Sequence, residues 1–156
     1  MRRLSGVLLA CAMLVFPAVS HGHGDLLAQA AAPQKTTFTG DVVVMAYAIN
    51  PDKTADYEKV LAEVKDALSK SEDPNAKQQA AGWKVIKNAM PNPDGSIIYI
   101  HVISPVVKDA DYSLMNQIYA AVKDPAQQKT YFDLYRGALK MPLFIIQGPM
   151  VLDLGK

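Results

Sequence analysis

The 156-residue chain is poor in the side chains that most often carry chemistry, with one cysteine and three histidines. Structural zinc centres need several Cys or His ligands at set spacings, and Cys11, His21, His23 and His101 form no such group. A single cysteine also excludes an internal disulfide framework. Neither sign of charge dominates, since 16 Lys and Arg face 15 Asp and Glu. Nucleic acid and anionic membrane surfaces need many phosphate contacts, and no basic stripe supplies them. The sequence also lacks a Ser-His-Asp order, a glycine-rich phosphate loop and a paired-carboxylate signal. Chemistry or binding without such motifs requires only an apolar pocket and one or two polar groups.

Arg2 and Arg3 precede an apolar run from Val7 to Phe16, then Pro17 and small residues. This is the layout of a secretory signal peptide, and the run is too short to span a bilayer. Residues 1–30 are therefore expected to direct export to the periplasm or the outside, leaving no membrane segment. Two cleavage sites fit the small-x-small rule: Ala18-Val19-Ser20 and Ala28-Gln29-Ala30. A lipoprotein site at Leu8-Leu9-Ala10-Cys11 would cut the apolar run in half. Cleavage after Ala30 removes Arg2, Arg3 and Asp25 and leaves 14 basic and 14 acidic residues. Cleavage after Ser20 would instead expose His21-Gly22-His23. A free amine with histidine at the third position chelates Cu(II) or Ni(II) in a square-planar nitrogen set, so His21 and His23 are metal candidates in that case alone.

Residues 31–40 are small and polar and read as a flexible lead-in to a single domain over residues 41–154. Val42 to Ile49 is β-branched and apolar on both faces, as in a central strand, and Asn50-Pro51-Asp52 ends it. The spacing of Tyr57, Val60, Leu61, Val64 and Leu68 predicts a helix over Thr54 to Ser71. Ser71 to Gly82 reads as a polar linker. A hairpin follows: an edge strand from Trp83 to Met90, a turn containing Asp94-Gly95, and a more apolar strand from Ile97 to Ile103. Ser104-Pro105 stops that strand. A second helical region runs from Asp111 to Leu139, restarting at Asp124-Pro125 with aspartate as N-cap and proline at the first helical position. The last strand is expected over Leu143 to Gln147, continuing irregularly to Leu154.

An internal repeat organises these elements. Ile49-Asn50-Pro51 followed by Ala55-Asp56-Tyr57 is echoed by Ile103-Ser104-Pro105 followed by Ala110-Asp111-Tyr112. Two strand–helix–strand halves with right-handed crossovers put the first and third strands at the centre. The expected fold is α+β and ferredoxin-like, in the order βαββαβ, with a four-stranded antiparallel sheet and both helices on one face, the second helix being long and broken. In element order, repeated junctions and hairpin, residues 41–154 resemble the dimeric α+β barrel superfamily, which includes antibiotic-biosynthesis-type monooxygenases, heme-degrading enzymes and stress-responsive barrel domains. The resemblance implies a homodimer joined through the open sheet face and a ligand held against that sheet or within the barrel.

Ile98, Ile100 and Val102 are expected to face the helices, leaving Ile97, Tyr99, His101 and Ile103 on the open side. His101 and Tyr99 are then the catalytic candidates. Tyr47, Tyr99, His101, Trp83, Tyr119 and Tyr135 are the candidates for binding a small apolar or aromatic ligand, because tyrosine and tryptophan combine an apolar body with a polar tip. No motif requires a cofactor; heme is the one that His101 would suit, as an axial ligand. Heme-degrading members of the superfamily use an asparagine, a tryptophan and a helix-borne histidine. Asn88, Trp83 and His101 share those residue types, but His101 lies on a strand and the roles do not carry over. The chain is read first as an exported small-ligand-binding or interaction module, without nucleic-acid or membrane partners. The alternative is a cofactor-free or heme-linked monooxygenase-like enzyme using His101 in a sheet-face cavity.

Overall fold

The computed structural model describes residues 34–155. The signal segment, its cleavage sites and His21 and His23 lie outside these residues. The β-branched run forms β1 (Val42–Ile49). Pro51 opens a short 3-10 turn that leads into α1 (Thr54–Lys70), which buries Tyr57, Val60, Val64 and Leu68 of the expected stripe and leaves its Leu61 half-buried. The expected linker is instead helical from Pro74 to Gly82, and this is α2. Asp73 Oδ1 accepts a 2.9 Å hydrogen bond from the Asn75 amide, with Pro74 at the first helical position. That is the aspartate–proline start recognised at residues 124 and 125, here followed by residues too polar to show a stripe.

The hairpin comprises β2 (Trp83–Lys87) and β3 (Ile97–Ile103). Strand β2 ends three residues earlier than expected. Gly95 takes the left-handed φ of +80° that the turn requires, and Asp94 Oδ1 accepts from both the amide and the hydroxyl of Ser96. The second helical region divides into α3 (Leu114–Ala121), capped by Ser113, and α4 (Pro125–Ala138), capped by Asp124. The last strand, β4 (Leu139–Gly148), begins before Pro142 rather than after it. A proline is tolerated there because β4 is an edge strand, with a register irregularity beside that residue.

The sheet is four-stranded and antiparallel, in the order β2-β3-β1-β4, with the two most apolar strands at its centre. Helix α1 packs against α2, α3 and α4. The main core joins Tyr57, Val60, Val64 and Leu68 of α1 to Ile49, Tyr99 and Ile118. A second cluster gathers Phe38, Val43, Met45, Ile103 and Tyr112. Residues 34–40, expected to be a flexible lead-in, are tied to this cluster: Phe38 is buried, the Tyr112 amide donates to the Thr36 carbonyl, and the Thr36 amide donates to Asp111 Oδ1.

The two faces of β3 are the reverse of the expectation. Tyr99, His101 and Ile103 are fully buried beneath the helices, while Ile98, Ile100 and Val102 stand on the open face, half-buried. Both faces are apolar, so strand periodicity does not separate them. What decides is that α1 and β2 supply polar partners for the two polar tips on β3.

Candidate functional site

His101 lies in the middle of β3, directly opposite Met45 of β1 and Val85 of β2. Its ring is completely buried. Trp83 Nε1 donates to His101 Nδ1 at 3.0 Å, and His101 Nε2 lies 2.8 Å from the Tyr57 hydroxyl. An indole nitrogen only donates, so Nδ1 carries no proton. The neutral tautomer therefore has its proton on Nε2, which donates to the Tyr57 oxygen. Burial lowers the His101 pKa to about 4 and raises that of Tyr57, the latter with help from Tyr135. Aromatic edges complete the packing: Tyr47 meets the imidazole at 5.3 Å between centroids, and Tyr112 meets the Trp83 indole at 5.4 Å.

This arrangement removes the features that general-base chemistry needs. A base must offer a free lone pair near the working pH, and at Nδ1 that lone pair is occupied by the indole. The cavity beside His101 has a volume of about 100 Å³ and is also lined by Tyr47, Trp83, Tyr112 and Tyr135. Small-ligand sites occupy about 300–1,000 Å³. Heme does not fit this space with His101 as axial ligand, because both ring nitrogens are already bonded. Among the described residues, no cluster of three or more His, Cys, Asp or Glu is placed to hold a metal.

The structure thus brings Tyr47, Trp83, His101 and Tyr135 together, on the helix side of the sheet rather than the open side. Tyr99 points away from them, donating to Glu58 Oε1 at 2.6 Å, and the same oxygen accepts from Lys87 Nζ at 2.9 Å. Those two bonds, Tyr99 first, lower the Glu58 pKa, while burial and the carboxylate raise that of Tyr99 to about 12. Tyr119 lines a separate recess with Pro125 and Phe132. Sequence reasoning missed Tyr57, although it opens the α1 stripe and stands at the repeated Ala-Asp-Tyr junction. It also missed a larger groove of about 490 Å³ between α1, α2 and β2, which shares Trp83 and Leu114 with the small cavity. Its walls come from four elements, α3 contributing Leu114, with no shared sequence signal. Comparison with protein-family models, curated proteins and solved structures finds no match.

Proposed function

We propose that the chain is an exported binding module of ferredoxin-like, dimeric α+β barrel type, which associates with a second copy through the helix-free face of its sheet and takes a small apolar ligand. The observation that carries this reading is the composition of that face. One row across the sheet is Ile86, Ile100, Ala46 and Phe144; the next is Lys84, Val102, Val44 and Ile146. Ile86, Phe144 and Ile146 are 54%, 45% and 63% exposed. Contiguous apolar surface of this kind marks an interaction site, and burying each such side chain is worth about 1.5–3 kcal/mol. The monooxygenase-like alternative loses its support, since His101 faces the helices with both ring nitrogens engaged.

Light scattering on the protein lacking residues 1–30, at micromolar concentration, is expected to give twice the chain mass. Ile100→Asp is expected to give a monomer with an unchanged far-ultraviolet circular dichroism spectrum. A wild-type monomer at that concentration refutes the reading.

A further inference from the structure

From the groove between α1, α2 and β2 we infer a binding site for an unbranched, medium-chain monocarboxylate, which deepens the binding-module reading and rests on it. Glu58, Leu61, Lys65 and Ser69 follow one another along α1 and line one side of the groove, with Trp83 and Val85 of β2 opposite. From Glu58 to Ser69 the helix rises about 16 Å, the length of a medium acyl chain. The volume of about 490 Å³ lies within the range of small-ligand sites. Leu61, Val64, Leu68, Val85 and Leu114 make the walls mainly aliphatic.

Charge sets the head group. Two charged side chains line the groove, and they are not equivalent. Glu58 is engaged, accepting from both Tyr99 and Lys87. Lys65 makes no ion pair or hydrogen bond among the described residues. Lys65 is exposed and lines the groove, so the uncompensated charge there is positive and complements a carboxylate. The back wall is fixed before any ligand arrives. The Trp83 indole is held by His101 Nδ1 and by the edge of Tyr112, which lowers the ordering cost of binding. His101 is on this view a positioning residue for that wall.

Trp83 is the sole tryptophan of the chain, so all indole emission reports from the groove. Titration of the protein lacking residues 1–30 with dodecanoate, below its micelle concentration, is expected to change that emission saturably, with matching heat in calorimetry. Dodecanol and dodecylamine are expected to bind more weakly. Lys65→Glu should weaken dodecanoate about tenfold and reverse the order of dodecanoate and dodecylamine. Val85→Trp, at a half-exposed wall position, should block binding measured by calorimetry while leaving the circular dichroism spectrum unchanged. Equal affinity for the three probes, binding indifferent to Lys65→Glu, or no saturable binding overturns the assignment. Light scattering on the same samples separates the two proposals. A monomer that binds dodecanoate overturns the sheet-face dimer alone, and a dimer indifferent to dodecanoate overturns the groove alone.

Discussion

Lowering the pH should destabilise the fold through His101, by an amount that follows from its burial. In the unfolded chain the imidazole titrates near its ordinary 6.5, and in the folded chain near 4. Between those values the unfolded chain holds the extra proton, so stability falls as the pH falls. The contribution is complete above about pH 6.5 and is lost progressively down to about pH 4. At about 1.4 kcal/mol per pH unit it totals about 3 kcal/mol, of which about 2 kcal/mol disappears between pH 7 and pH 4.5. The structural reason is specific. A second ring proton would sit on Nδ1, facing the Trp83 N–H, and would replace an accepted hydrogen bond with two opposed donors. His101→Gln keeps an acceptor for Trp83 and a donor for Tyr57 without a titrating group. Urea unfolding of both proteins at several pH values between 7 and 4.5 therefore isolates the histidine. Carboxylates such as Asp94, held low first by Lys140 and then by Ser96, contribute equally to both curves. Parallel pH profiles for wild type and His101→Gln would refute the reasoning.

Two further perturbations test the frame around the site. A Cβ at Gly82 would stand 2.7 Å from the Pro105 carbonyl oxygen and 3.3 Å from that of Ser104, and both are backbone atoms that cannot swing aside. Gly82→Ala should therefore cost about 1–3 kcal/mol in urea unfolding; an unchanged midpoint would show that the α2–β2 junction yields. Asp111 Oδ1 accepts from the amides of Thr36 and Ser113, and Oδ2 accepts from Asn116 Nδ2. Asp111→Ala should lower stability by about 1–3 kcal/mol and speed hydrogen exchange at the Thr36 and Tyr112 amides before that of the β1 amides. Uniform acceleration across the sheet would contradict a local tether.

The elements whose signals are local were legible in the sequence. Strand β3 has the bounds that its apolar run and flanking breakers define, α1 buries most of the stripe its spacing describes, and Asp124 caps α4 through the Ala126 amide at 3.0 Å. Helix α2 carried the same aspartate–proline start at Asp73 and Pro74, but Asn75, Lys77, Gln78 and Gln79 gave no apolar period to accompany it. Gln79 is nevertheless buried, because its amide donates to the Asp111 carbonyl from the other half of the chain. Which face of β3 meets the helices was not legible. An aliphatic set and an aromatic-polar set alternate along that strand, and hydropathy favours the aliphatic set for the core. The choice is made by Tyr57 and Trp83, which lie 44 and 18 residues from His101 in sequence.

That choice links the closed face of the sheet to the open one. Sliding β3 by one residue against β1 and β2 would turn His101 and Tyr99 outward and Ile98, Ile100 and Val102 inward. Trp83 Nε1 and the Tyr57 hydroxyl would then be left without their acceptor and donor on β3. A buried polar group without its partner costs about 1–3 kcal/mol, so the slip forfeits two such terms and the Tyr99–Glu58 bond besides. The aliphatic residues alone would not resist it, because hydropathy by itself favours burying Ile98, Ile100 and Val102. The hydrogen-bonded imidazole thus specifies the register. In fixing that register it places Ile100 and Val102 on the open face, beside Phe144 and Ile146, and holds the Trp83 indole as the wall of the groove.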